Sequence, residues 1–254
     1  MKFWRTTTSK INPTPHRRRV RVALALVFLL VPASLDVFAQ KQFKKVYPAR
    51  SNVNLQLTNS SGTVRVEVWN RNEIEVRAQL ESSMQLNPQL SENGLEINVM
   101  HDNMRRNNLG DANFQIRVPA NASVAVATML GNIIVRGVQG DFVRASIGTR
   151  GDIELTEINT SQVLAETRGG DIFFAGGMIN QGIYRFTSWD GDVRLRVPQN
   201  AQFSLDARAP HSRNIDLGVF ANRFNRTSEG RRAVGGSGAS CDVMSARGSI
   251  FMLR

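Results

Sequence analysis

The 254-residue chain carries a formal net charge of +11, but the excess is concentrated at one end. Lys2, Arg5, Lys10, Arg17, Arg18, Arg19 and Arg21 precede an uninterrupted apolar run at residues 22–31, and removing this segment leaves about +5 on the rest. Charge therefore gives no ground for a nucleic-acid partner. Cys241 is the only cysteine, which excludes an intramolecular disulfide and leaves a folded core to rest on apolar packing and backbone ladders.

The first element is a leader. The basic segment, the ten apolar residues, Pro32 and the small-residue ending Val37-Phe38-Ala39 before Gln40 follow the order of a secretory signal peptide, with cleavage expected between Ala39 and Gln40. Ten residues are about half of a membrane span, and no later stretch is longer and as apolar, so no stable transmembrane segment is expected after cleavage. The mature chain, 40–254, is read as a single elongated domain: N-terminal strands within 40–118, then a regular repeat within 119–254.

Segments 53–58, 64–69, 74–80 and 95–100 alternate apolar and polar residues and are predicted strands. Beyond them a unit recurs: Gly131-Asn132-Ile133, Gly151-Asp152-Ile153, Gly170-Asp171-Ile172 and Gly191-Asp192-Val193 are spaced 20, 19 and 21 residues apart. Gly62-Thr63-Val64 precedes them in the same form, Gly248-Ser249-Ile250 follows, and Asn214-Ile215 continues the series 23 residues after Gly191 without its glycine. Alternation on both sides of each glycine reads as strand, tight turn, strand. Three residues before the glycine stand Thr128, Thr167, Ser188 and Ser245, and seven before it Val124, Val163, Tyr184 and Cys241. The Gly151 unit fits only with one extra residue, the mark of a bulge. Val118-Pro119-Ala120-Asn121-Ala122 is echoed by Val197-Pro198-Gln199-Asn200-Ala201, 79 residues on, and proline makes both corners.

A ~20-residue repeat of short strands cannot bury its own apolar face, so the expected fold is all-β: a stack of coils, a β-solenoid of the parallel β-helix or β-roll type, about six coils long. Regular strand spacing also permits a β-sandwich. The Gly-Asp-Ile units, the Val-Pro-x-Asn-Ala corners and the opening Leu57-Thr58-Asn59-Ser60-Ser61-Gly62-Thr63-Val64-Arg65-Val66 resemble the bacterial "putative adhesin" domain family, a family of unknown function. The resemblance runs from about Tyr47 to Leu253 and implies an exported, β-solenoid-like protein with no established catalytic residues.

Arg150-Gly151-Asp152 spells a receptor-recognition tripeptide, yet it fills the slot that holds Gly169-Gly170-Asp171 and Asp190-Gly191-Asp192 elsewhere. It is read as turn chemistry: glycine for positive φ, aspartate for backbone amides. Stacked Asp152, Asp171 and Asp192 invite a calcium reading, but arginines 150, 168 and 194 stand beside them and the glycine-rich calcium nonapeptide is missing. His16, His101 and His211 lack spaced ligand partners, so neither a zinc site nor a triad is expected; no metal or cofactor is assigned. Cys241 falls on an apolar slot and is read as a buried hydrophobe.

Two stretches break the period. Residues 101–108 are polar and basic, and residues 219–240 set Arg223, Arg226, Arg231 and Arg232 against Glu229 alone. Guanidinium groups pair with phosphate and carboxylate, so these four arginines are the candidate binding residues for an anionic envelope polymer or glycan. The expected function is that of a non-enzymatic module of the bacterial cell envelope, periplasmic, surface-bound or extracellular. A polysaccharide-cleaving enzyme and an accessory to envelope-stress sensing are the alternatives.

Overall fold

The alternating segments form strands, and the twenty-residue step stacks them. The computed structural model describes residues 41–50, 52–81, 84–101, 110–226, 232–234 and 238–253, with the backbone alone at 100, 101 and 232–234. These belong to one unit, Phe38–Arg254. The expected leader, the expected cleavage site at Ala39 and Gln40, residues 102–108 and Arg231 lie outside the described residues.

In chain order the strands are β1 (Lys41–Pro48), β2 (Asn54–Ser61), β3 (Val64–Trp69), β4 (Glu73–Leu80), β5 (Met84–Leu90), β6 (Gly94–His101) and β7 (Ala112–Pro119). There follow β8 (Ser123–Leu130), β9 (Ile133–Arg136), β10 (Phe142–Arg150), β11 (Ile153–Ile158), β12 (Gln162–Thr167), β13 (Ile172–Gly176), β14 (Ile183–Ser188) and β15 (Val193–Arg196). The last are β16 (Phe203–Arg208), β17 (Ile215–Asp216), β18 (Asn225–Arg226), β19 (Arg232–Val234), β20 (Ala239–Ser245) and β21 (Ile250–Leu253), with a 3-10 turn at Gly218–Arg223 before β18.

Two sheets share one core. Sheet I has the order β1-β4-β7-β3-β9-β11-β13-β15-β21-β17, and sheet II the order β18-β19-β16-β20-β14-β12-β10-β8-β2-β6-β5. Each coil is a sheet II strand, a corner, in most coils a glycine corner, and a sheet I strand, and adjacent coils pair in parallel. This is a β-solenoid. It shares two facing layers with a sandwich, but parallel pairing at a fixed chain step is what makes the layers.

Register explains the repeat. On sheet II, Val124, Val143, Val163, Tyr184, Cys241 and Leu205 fall in one row, all buried. On sheet I, Val64, Ile133, Ile153, Ile172, Val193 and Ile250 do the same. Phe174 of β13 packs against Phe186 at 5.1 Å and Tyr184 at 6.1 Å across the core. The extra residue before Gly151 is a register shift between Ile147 and Arg150 of β10. Both Val-Pro corners close as tight turns, Ala122 N–H donating to Pro119 O (3.1 Å) and Ala201 N–H to Pro198 O (3.0 Å).

Among the described residues eight coil levels stack, the six expected from the repeat being extended where the N-terminal strands β2–β3 and β6–β7 pair as further turns. The spatial order of the coils is not their chain order. The Asn214 coil does not follow the Gly191 coil. β20 and β21 lie between, pairing with β14 and β15 on one side and with β16 and β17 on the other. Likewise β2 and β3 lie between the β6–β7 coil and the β8–β9 coil.

Antiparallel strands cover both ends: β4 and β1 beyond β7, β5 beyond β6, and β19 with β18 beyond β16. The outermost strands carry edge protection, with Lys41, Lys44 and Lys45 on β1, Pro88 on β5, and only two residues in β17 and β18. Charges, proline and short length all discourage another chain from adding to an open ladder.

Candidate functional site

The glycine corner was the strongest sequence signal, and its geometry decides what it can do. A Cβ on Gly131, Gly151, Gly170, Gly191 or Gly248 would fall inside 3.0 Å of the carbonyl oxygen of the corner glycine in the adjacent coil. The glycines form a column, each leaving room for its neighbour. Gly151 (φ +150°) and Gly170 (φ +141°) also occupy the left-handed region. Gly191 and Gly248 do not, so close approach rather than positive φ fixes glycine there.

The aspartates serve the same stack, though not through their own turns. Asp152 Oδ1 accepts from Asp171 N–H, Asp171 Oδ1 from Asp192 N–H and Asp192 Oδ1 from Ser249 N–H, each at 2.8 Å. Asn132 Oδ1 extends the column by accepting from Asp152 N–H at 2.9 Å, and Asn113 Oδ1 by accepting from Thr63 N–H at 2.8 Å. Arg194 then bridges Asp171 Oδ2 (2.6 Å) and Asp192 Oδ2 (2.7 Å). The hydrogen bond to Asp171 raises the Arg194 pKa further. Inside the corner, Thr167, Ser188 and Ser245 donate to the carbonyls of Gly151, Gly170 and Gly191 at 3.1, 2.9 and 2.7 Å. Arg150-Gly151-Asp152 is thus a corner of the stack, its glycine packed and its carboxylate bonded.

The 219–240 segment, which breaks the period, is tied to the core at its start. Phe220 in the 3-10 turn is buried and meets Phe203 at 5.6 Å; Phe224 meets the same ring at 5.4 Å. Residues 218–224 cap the core. Arg223 belongs to that cap, donating Nη1–H to Ala201 O (3.1 Å) with its guanidinium 5.6 Å from the Phe220 ring. Arg226 is exposed, and the backbone register sets its position opposite that of Arg232. Arg231 and the Arg232 side chain lie outside the described residues.

What the sequence did not reveal is a groove of about 570 Å³ on the outer face of sheet I. Gln42, Gln79 and Asn113 lie side by side on β1, β4 and β7, and Lys44, Arg77 and Gln115 form the next row, with Thr63 of β3 at the margin. Its polar lining is four carboxamides, two cations and a hydroxyl, with no carboxylate. Beside it Glu75, its side chain 7% exposed, faces Arg77 (3.0 Å), Arg117 (3.6 Å) and Lys44 (3.9 Å). The Arg77 hydrogen bond, assisted by the three positive charges, holds the Glu75 carboxyl below its ordinary range although burial pushes it up. Of these three cations, Lys44 and Arg77 also line the groove. Arg117 and Arg71 also flank Trp69 at 6.0 and 5.2 Å. The alternation Gln42-x-Lys44, Arg77-x-Gln79 and Asn113-x-Gln115 is visible in the sequence; that these three strands are neighbours is not.

The remaining candidates are structural. Cys241 is buried, and burial pushes its thiol far above the ordinary range. His211 Nδ1 lies 2.8 Å from the Ala246 carbonyl. The side chain of His101 is outside the described residues. No group of three or more His, Cys, Asp or Glu side chains is placed to hold a metal ion among the described residues, and no helix among them is long and apolar enough to cross a membrane.

Residues 100–247, more than half of the chain, match the family model described as Toastrack DUF4097. Among solved structures, a "putative cell adhesion protein" of Clostridium sporogenes is 9% identical, with 84% of this chain and 99% of that one covered at a TM-score of 0.47. A "putative adhesin" of Bacteroides fragilis is also 9% identical, covering 85% of this chain and 99% of that one at 0.35. A "putative lipid binding protein" of Parabacteroides distasonis is 9% identical, covering 84% and 97% at 0.26. No curated protein matches. With a parallel two-sheet stack and a family match over most of its repeats, the chain belongs to the Toastrack DUF4097 family.

Proposed function

We propose that the chain is exported, loses residues 1–39, and acts without catalysis as a binding module of the bacterial envelope whose ligand is an anionic, hydroxyl-rich polymer. The groove on β1, β4 and β7 carries this reading. Carboxamides both donate and accept, which hydroxyl groups require, and an excess of guanidinium and ammonium charge favours carboxylate or phosphate. The non-enzymatic part is supported by how the carboxylates are used. Glycoside cleavage needs a carboxyl group held protonated by a raised pKa, whereas Glu75 and Glu157 are shifted down by their arginine partners. The column of aspartates is bonded to backbone amides and to Arg194.

Retention of the mature protein on immobilised polygalacturonate against neutral dextran tests the reading. Salt-sensitive retention on the polyuronate alone is expected, weakened by Lys44→Gln combined with Gln79→Ala. Equal retention on both matrices, or release of reducing ends from the polyuronate, would overturn it.

A further inference from the structure

The column of glycine corners ends in side chains that the stack does not need. The slot two residues before the corner glycine holds Ser60, Met129, Thr149, Arg168, Trp189 and Ala246. Serine, threonine and alanine serve there, so the fold makes no demand for an aromatic ring. Trp189 nevertheless fills the slot and stands 53% exposed. Its N–H donates to Thr167 O at 3.1 Å, and Ala246 N–H to Ser188 O at 2.9 Å. Register therefore sets Trp189 directly between the Arg168 and Ala246 levels, with small Ala246 on one side. One residue on, Arg247 meets Asp190 at 3.8 Å. Arg150 and Arg168 are exposed, and among the described residues neither has an ion-pair partner. The neighbouring Asp152, Asp171 and Asp192 have each given an oxygen to a backbone amide.

We propose that this edge binds an acidic, extended polysaccharide strand lying along the stack, with Trp189 as the stacking platform and Arg150, Arg168 and Arg247 as carboxylate ligands. The proposal rests on the reading of an anionic, hydroxyl-rich ligand and adds its contact geometry. Coil levels rise by ~4.8 Å, close to the length of one pyranose ring in an extended chain, so successive levels meet successive sugars. Indole faces take the apolar CH face of a sugar, and guanidinium takes a uronic carboxylate in two parallel bonds. A single ring bracketed by cations suits a polymer with alternating apolar and charged features. A bilayer would call for a contiguous apolar patch. The corner column that includes Asn113 and Thr63 at the groove margin continues along this edge through Asn132 and Asp152, so groove and edge lie on one track.

The test is calorimetric titration of the mature protein with long oligogalacturonate, its fully methyl-esterified form, and phosphatidylglycerol vesicles. Trp189→Ala, whose slot already tolerates alanine at Ala246, should fold with unchanged circular dichroism and bind oligogalacturonate at least tenfold more weakly. Arg150→Gln with Arg168→Gln should weaken it about fivefold and flatten the salt dependence. Neutralised esters should bind poorly to every form. Wild-type binding that Trp189→Ala leaves intact while Lys44→Gln with Gln79→Ala abolishes it would overturn the edge proposal and leave the broader reading standing. Failure of wild type to bind any anionic polymer would overturn that reading itself. Vesicle binding without oligogalacturonate binding would overturn the edge proposal in favour of a lipid surface.

Discussion

Gly191→Ala separates the two physical roles of the corner glycines. Gly191 lies outside the left-handed region, so an alanine there meets no φ penalty, and any cost comes from crowding. Its Cβ would stand 3.0 Å from Asp171 Oδ1 and closer still to the Gly170 carbonyl oxygen. That oxygen is held by Ser188 Oγ at 2.9 Å, and Asp171 Oδ1 by Asp192 N–H at 2.8 Å. Backbone must move to admit the methyl, because neither neighbour is the free end of a flexible side chain. Overpacking of this kind costs about 2 kcal/mol, and loosening one or two inter-coil hydrogen bonds adds about 1 kcal/mol. Gly170→Ala meets the same crowding, 2.6 Å from the Gly151 carbonyl carbon and 2.8 Å from Asp152 Oδ1, and adds a φ penalty of about 1 kcal/mol. Urea unfolding followed by far-ultraviolet circular dichroism measures both, with the slope checked for equality because stacked repeats can lose cooperativity. Gly191→Ala is expected to lose about 3 kcal/mol and Gly170→Ala about 4 kcal/mol. If Gly191→Ala stays within about 0.5 kcal/mol of wild type while Gly170→Ala falls, close stacking is not what glycine is for.

Other expectations follow from the same contacts. Arg223→Ala should lower the thermal midpoint by ~3 °C, the equivalent of about 1 kcal/mol, because it removes a donor to Ala201 O and cover from Phe220; Arg226→Ala should not, and equal effects would refute the capping role. Glu75 has a lowered pKa, so its contribution is fully present above the ordinary carboxylate value of ~4.3 and is lost as pH falls through the lower folded value. Urea midpoints of wild type and Glu75→Gln should therefore differ at neutral pH and converge in acid; a gap that widens in acid would contradict the assignment. Intact mass of protein recovered outside the cytoplasm should begin at Gln40, and mass that still includes residues 1–39 would remove the export step.

The repeat was legible because it is local. Period-two alternation and a glycine every twenty residues report on the strand and the corner, and even the extra residue before Gly151 was readable as a bulge; the pattern alone assigns the aspartates to their own turns, whereas they accept from the adjacent coil. What the sequence hid was non-local. Gly248 and Asn214 carry the same pattern, and nothing in either says which of them packs on Gly191; only pairing decides. The groove failed to show for the same reason, since Gln42, Gln79 and Asn113 are far apart in the chain and meet only because β4 pairs antiparallel with β1 on one side and with β7 on the other. The arginine-rich composition of 219–240 likewise gave no sign that the Phe220 and Phe224 rings tie its first residues to the core.

The interleaved order of the coils sets a condition on how the molecule comes to be folded. A stack built in chain order would lay β16 and β17 against β14 and β15, the sites that β20 and β21 occupy. That arrangement leaves the later strands no place, so growth from one end as the chain emerges leads into a trap. The level between must stay vacant until β20 and β21 arrive, and closing it joins segments of high sequence separation, the slow class of folding events. Refolding from denaturant should accordingly show a slow phase that disappears when β20 and β21 are moved, by circular permutation, to precede β16.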